Sequence, residues 1–198
     1  MHYLLDKKIT AEACVHHLWF NDGDYDRLGM MIKWNPAIKT AVDQQGIMKA
    51  LLDDRIDVIA TDHAPHTWEE KQKDYFNAPS GGPLVQHGMV VMMELYKQGK
   101  ISIEKVVEKM CHNPAILFRI ENRGYIREGY FADLVLADPH SKWEVTKQNI
   151  VAKCGWSPFE GQTFSSSIDS TWVSGHLAFQ KGQFDESQMG QRMTFNRQ

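Results

Sequence analysis

Between Ile56 and His66 an apolar run, Ile56-Asp-Val-Ile-Ala60, breaks into Thr61-Asp-His-Ala-Pro-His66. Ile56, Val58, Ile59 and Ala60 follow the helical pattern of Gly46 to Leu52. A short continuous apolar stretch between polar turns fits a strand buried on both faces, as in a parallel sheet. Such a strand places Asp62 at its carboxyl end. In α/β barrels that rim carries the catalytic groups, because strand ends are rigid and the loops after them are free to vary. Pro65 stiffens the turn and fixes His66 relative to Asp62. A carboxylate there can bind a divalent metal and take a proton from metal-bound water, and an imidazole can donate to an anionic substrate. The same residues also read as a loop Asp capping the next helix beside a surface His, and short motifs leave both readings open.

The rest of the first half alternates in the same way. Ile9 to Val15 reads as a strand, Val42 to Leu52 as a helix, Ile56 to Thr61 as a strand, and His87 to Gln98 as a buried helix stopped by Gly99. Ser102 is placed to cap a helix with Ile103, Val106, Val107 and Met110 at helical spacing, ending before Pro114. This βαβα order predicts an α/β fold. From about Arg123, glycines at 124, 129, 155, 161, 175 and 182 punctuate short runs such as Ala132 to Leu136 and Thr171 to Val173, the pattern of a small antiparallel unit. The polar stretch from Gln183 to Gln198 is expected to fray.

Composition excludes some classes of function. With 198 residues, 42% of them hydrophobic, the chain suffices for one ordinary domain or two small ones. Its 22 Lys and Arg are scattered and outnumbered by 25 Asp and Glu, which argues against a nucleic-acid partner. No apolar run approaches the roughly 20 residues that span a bilayer, and Met1 to Lys8 lacks a signal-peptide core, so a cytoplasmic protein is expected. Cys14, Cys111 and Cys154 are odd in number and widely spaced, which suits reduced thiols acting as small buried hydrophobes.

Several ordered motifs then carry a resemblance. Ile9-Thr-Ala-Glu-Ala-Cys-Val-His-His-Leu18, Lys33-Trp-Asn-Pro36, Ala60-Thr-Asp-His-Ala-Pro-His66 and Asn77-Ala-Pro-Ser-Gly-Gly82 together resemble the later part of a class I-like dihydroorotase of the cyclic amidohydrolase superfamily. Asn113-Pro-Ala115 and Gly124 to Leu136 look like that superfamily's last helix and its return into a β-sandwich. The resemblance implies that residues 1–118 are the last strand–helix units of a metal-dependent (β/α)8 barrel and 119–198 a carboxyl-terminal β-sandwich segment with its tail. It implies reversible, metal-dependent hydrolysis of the cyclic amide of dihydroorotate to N-carbamoyl-aspartate, a step of pyrimidine synthesis.

By the same resemblance Asp62 is a metal ligand and the general base, Asn35 and His66 bind substrate, and Ser80 and Gly81 belong to a loop whose backbone contacts the pyrimidine ring. The cofactor implied is Zn2+ in a binuclear site, yet an early His-x-His pair, a bridging carboxylated Lys or Asp and two more strand-end histidines have no counterpart in the sequence. Since a whole barrel needs about 250 residues, the expectation is a carboxyl-terminal portion, inactive alone, that forms a homo-oligomer or pairs with a complementing amino-terminal half. Two alternatives stand beside it: a non-catalytic dihydroorotase-like structural partner of aspartate transcarbamoylase, and another cyclic amidohydrolase such as an allantoinase or hydantoinase.

The remaining histidines and Glu12 receive plainer readings. His16 and His17 are set aside as metal ligands, because neighbouring residues on a strand point to opposite faces. His63 reads as structural, Glu12 as a buried hydrogen-bond partner, and His87 with Met89 to Met93 as part of a buried helix.

Overall fold

The computed structural model describes residues 3–196. Its first half is built on two short parallel strands, β1 (Glu12–Cys14) and β2 (Val58–Ala60), paired Glu12 to Val58, Ala13 to Ile59 and Cys14 to Ala60. The level pairing of Cys14 with Ala60 makes both chains leave the sheet at one rim. Between the strands run α1 (Val15–Trp19), α2 (Tyr25–Leu28) and α3 (Ala41–Leu52), and after them α4 (Trp68–Lys71) and α5 (Gly88–Lys97). In α3 the Thr40 side chain accepts from the Asp43 N–H while the Asp43 carboxylate takes the Thr40 N–H, a reciprocal cap that fixes the helix start. The nearly continuous apolar run of α5 is buried at Val90, Val91, Met92, Met93 and Leu95.

α6 (Ile103–Val107) is capped by Ser102, whose side chain accepts from the Lys105 N–H. The sequence places its end before Pro114; instead a π turn over Glu108–His112 carries the chain on into α7 (Asn113–Leu117). In that wider turn the Asn113 N–H reaches back to the Glu108 carbonyl, and Pro114 falls in the first turn of α7, where its missing N–H costs nothing.

The second half is antiparallel. β3 (Leu134–Asp138), β6 (Ser167–Val173), β7 (His176–Gln180) and β8 (Gln183–Phe184) form one sheet in that order, and β4 (Trp143–Glu144) pairs with β5 (Thr163–Phe164). Val145, Phe159 and Phe164 from this half join Leu18, Phe20, Val91 and Leu95 in one core. Ser165 donates through its N–H and its hydroxyl to Glu94, tying β5 to α5.

Three other expectations are corrected. Ile9 to Val15 is a strand only over Glu12–Cys14, because Val15 and Leu18 are buried three residues apart, a helical rather than an alternating spacing. The tail from Gln183 is held rather than frayed. Its first residues form β8, and later the Glu121 N–H bonds Thr194 and the Asn196 N–H bonds Arg119, backbone pairing that a polar sequence does not forbid. Residues 197 and 198 of that stretch lie outside the described part. All three cysteines are free thiols, but only Cys14 is buried; Cys111 is exposed and Cys154 half-buried. Among the described residues no helix is long and apolar enough to cross a membrane.

Asp57 sits just before β2 and sets its position. Its fully buried carboxylate accepts from Lys7 Nζ at 2.5 Å and from the Ala11 N–H at 2.9 Å, and its carbonyl takes Asn113 Nδ2 at 2.6 Å. Asp57→Ala leaves a lysine and a backbone donor without their acceptor, and a loss of about 3 kcal/mol in urea unfolding is expected. Asp57→Asn keeps one acceptor and should recover part of that loss; equal stability of Asp57→Ala and the native chain would remove Asp57 from this role.

Candidate active site

Three loops meet at the rim where β1 and β2 end. Asp62 follows β2 by two residues in the left-handed region, φ 47°, a conformation that Asp tolerates and that turns the chain sharply out of the strand. The next residues pair with the loop after α4: His63 and Gly82 form a parallel bridge, and the Ala64 N–H donates to the Gly82 carbonyl at 3.1 Å. His66 closes the pairing, with Nε2 3.0 Å from the Ser80 carbonyl and Nδ1 3.8 Å from Glu70 Oε2. The Trp156 indole N–H bonds the His66 carbonyl at 2.8 Å from the other side.

Gly81 makes this approach possible. It is buried at φ 123°, and a Cβ there would stand 2.5 Å from Ala64 Cβ and 3.4 Å from His66 Cδ2. Its N–H donates to the Lys33 carbonyl, and its own carbonyl accepts from Lys71 Nζ at 2.9 Å. The same ammonium reaches the carbonyls of Pro79 at 3.0 Å and Lys33 at 3.3 Å. Lys71 thus joins the segment before Asn35 to the loop of Ser80 and Gly81. Burial, with the Lys33 charge adding to it, pushes its pKa down to about 8.

The third loop lies on the β1 side. Trp34 stacks on His16 with ring centres 4.3 Å apart and planes 12° apart, and His17 Nε2 is 2.9 Å from the Pro36 carbonyl. Cys14, at the end of β1, has its thiol pushed up to about 12 by burial, then by the carboxylates of Glu12 and Asp62. Asp62 and Asn35 are exposed, Ser80 and His66 half-buried. A cleft of about 540 Å3 lined by His63, Pro65, Pro83, His87 and Cys154 lies behind the turn; Asp62 and His66 are not in its wall.

An amidohydrolase family model matches residues 3–178. The chain belongs to the amidohydrolase family. Among curated amidohydrolases it is 40% identical over 152 residues to the dihydroorotase of Halobacterium salinarum, covering 77% of this chain and 36% of that one. It is 36% identical over 176 residues to the dihydroorotase of Endomicrobium trichonymphae, covering 87% and 41%. Over 193 residues it is 30% identical to that of Pyrococcus furiosus, covering 96% and 45%. The chain therefore spans less than half the length of these relatives. Among solved structures, the L-hydantoinase (dihydropyrimidinase) from Arthrobacter aurescens superposes with a TM-score of 0.84 at 26% identity, covering 88% of this chain and 40% of that one. A D-hydantoinase at 22% identity gives 0.79, which supports the same mixed α/β amidohydrolase fold.

Amidohydrolases are generally metal-dependent, which calls for several donors converging on one point. Asp62 supplies one oxygen donor, and it belongs to none of the described groups of three or more His, Cys, Asp or Glu with ligand spacing. A catalytic zinc usually takes three protein ligands; by themselves the described residues around Asp62 do not fit a binuclear centre.

The rim therefore gathers the expected residues with some changes. Asp62, His66, Ser80, Gly81 and the segment carrying Asn35 are brought together. Both backbone polar groups of Gly81 bond within the protein, and its observed part is the close packing of the loop. His63 is structural, its Nδ1 accepting from the N–H groups of Leu84 and Val85. Glu12 is exposed, not buried. The reason for setting aside His16 and His17 fails: they sit on the first turn of α1, not on a strand, and their rings lie 4.2 Å apart. Lys71 is the residue that sequence reasoning missed. In Glu69-Glu-Lys-Gln-Lys73 it reads as one more solvated charge, and only the Thr67 and Glu70 capping pair gave a local signal there.

Two outcomes check this geometry. Gly81→Ala is expected to lower unfolding free energy by about 2–3 kcal/mol in urea titration, because the added methyl meets Ala64 and the φ is unfavourable. Lys71 is charged in folded and unfolded chains below about pH 8, and from there to its ordinary 10.5 the folded chain releases the proton first. Stability of the native chain should therefore rise through that window relative to Lys71→Met; identical pH profiles would show that the ammonium is not desolvated at this loop.

Proposed function

We propose that this chain carries the general base and part of the substrate-binding surface of a dihydroorotase, the enzyme that reversibly hydrolyses the cyclic amide of dihydroorotate to N-carbamoyl-aspartate. The supporting observation is the meeting of the Asn35 segment, the Asp62 to His66 turn and the Ser80–Gly81 loop at one strand-end rim, in a chain with 30–40% identity to dihydroorotases. Asp62, exposed at the rim, takes a proton from the attacking water as its oxygen bonds to the ring carbonyl carbon. The C–N bond breaks and Asp62 returns that proton to the leaving amide nitrogen. Asn35 donates to the substrate, and Ser80 presents the loop edge that Gly81 packs in place. His66, when protonated, pairs with the substrate carboxylate on its Nδ1 side, the side that Glu70 approaches.

In this reading β1, β2 and the helices of residues 1–118 are strand–helix units of a (β/α)8 barrel, supported by parallel strands joined through α3, and residues 119–198 are its β-sandwich segment. Asp62 is one ligand of a zinc pair whose other donors are not among the described residues. The chain then works in the cytoplasm as a homo-oligomer or with a complementing half, and is inactive alone. The 26% identity to an L-hydantoinase favours a second reading, a cyclic-amide hydrolase of hydantoin type.

A chimera tests both: this chain replaces the matching segment of the Halobacterium salinarum dihydroorotase. Opening of dihydroorotate by the chimera is expected, with Asp62→Ala lowering kcat on the order of a hundred- to ten-thousand-fold. Activity on hydantoins but not dihydroorotate would select the second reading, and undiminished activity of Asp62→Ala would remove Asp62 as the base.

A further inference from the structure

The β1 side of the rim holds a cluster that the reaction above does not use. The ligand-capable atoms of Cys14, His16 and His17 all lie within 4.8 Å of one another. We propose that these three residues form a site for a single transition-metal dication of the zinc type, bound by one thiolate and two neutral imidazoles.

The strongest indication is His16. It is fully buried, yet neither ring nitrogen has a hydrogen-bond partner. Buried polar atoms are nearly always satisfied, and an unpartnered imidazole nitrogen among ligand-type neighbours is free to take a cation. The ring is already oriented, stacked on Trp34 along one face. In the neutral imidazole one ring nitrogen carries the proton and the other keeps a lone pair that can ligate.

His17 is set up in a different way. Its Nε2 lies 2.9 Å from the Pro36 carbonyl, which only accepts, so Nε2 carries the proton and Nδ1 keeps the free lone pair. A backbone carbonyl on the outer nitrogen is a common way for proteins to fix the tautomer of a ligating histidine. Cys14 supplies the soft donor. Burial and the carboxylates of Glu12 and Asp62 oppose its ionisation, but the same two negative charges favour a dication beside the sulfur. Binding balances as follows: the thiol proton leaves to solvent, sulfur bonds to the metal, and both imidazoles stay neutral. One thiolate and two imidazoles suit a tetrahedral ion with its fourth position open.

Cobalt(II) alone is the probe, titrated into the reduced 198-residue chain. One equivalent should bind, producing a thiolate-to-cobalt charge-transfer band in the near ultraviolet, releasing one proton, and yielding to zinc. Cys14→Ser, with its fold checked by circular dichroism, should lose the band. His17→Gln, on a half-buried residue, should weaken binding at least tenfold. Asp62→Asn should keep the band, which separates this cluster from the carboxylate proposed as base. Because Cys14→Ser is a core change, X-ray absorption on the zinc-loaded native chain gives an independent reading: one sulfur near 2.3 Å and two nitrogens near about 2.0–2.1 Å. Absence of stoichiometric binding, a band that survives in Cys14→Ser, or a zinc shell of oxygen and nitrogen only would overturn the site.

Discussion

The rim is held by a buried ammonium that has gathered backbone carbonyls instead of a carboxylate. Lys71 Nζ bonds the carbonyls of Lys33, Pro79 and Gly81, from two loops that are far apart in sequence. Removing a lysine from water is unfavourable unless its donors are satisfied, and three carbonyls meet its three N–H groups. Because carbonyl dipoles repay less than a full opposite charge, the charged form is left weakly favoured, and the pKa falls to about 8. Everything placed at the rim follows from this tie. The loop must come in close enough for its Gly81 to touch Ala64, which only a glycine permits, and Ser80 then meets His66.

With that loop fixed, the rim has two faces of opposite character. On the β1 face Trp34, His16 and Cys14 are buried. On the β2 face Asp62 and Asn35 are exposed, and Asp62 leaves its strand through a left-handed φ. Backbone in that region is retained where surrounding structure over-determines it, and here the bridge of His63 to Gly82 immediately follows the turn. One face therefore offers oriented imidazoles in a buried setting and the other an exposed carboxylate.

The elements visible in the sequence are those whose cause is local. The strand over Val58–Ala60 follows from a continuous apolar run, α3 from the Thr40 and Asp43 cap, the end of α5 from Gly99 at φ 71°, and the start of α6 from Ser102. What escaped is non-local. Pro114 reads as a stop, but the π turn before it is bought by packing: buried Lys109 reaches Asp54 and Ile56 across the fold, and Asn113 reaches Asp57. The tail pairs with Arg119 to Glu121 through backbone atoms, which no side-chain pattern announces. At the candidate site, Asp62 and His66 were legible because an apolar run ending in acid and imidazole is unusual. Lys71 was not, since its burial is decided by loops 38 residues before it and 10 after. The pairing of His16 with His17 was lost with the helix they begin.

The charges around the rim bear on what it can bind. Glu12, Asp62 and Glu70 lie along it, and the Glu70 carboxyl is held below its ordinary range by the Thr67 backbone and hydroxyl, then by His66. Two lysines beside the rim are turned inward, Lys71 to its three carbonyls and Lys33 to those of Tyr75 and Ala78, whereas Lys73 is exposed and its charge also lowers the Glu70 pKa. An anionic substrate approaching these residues faces the carboxylates of Glu12, Asp62 and Glu70 together with the exposed Lys73 ammonium. Carboxylates so placed favour a cation beside them, and a cation there would lower the cost of bringing a substrate carboxylate near Asp62. The proposed reaction and the proposed metal site therefore share one electrostatic setting.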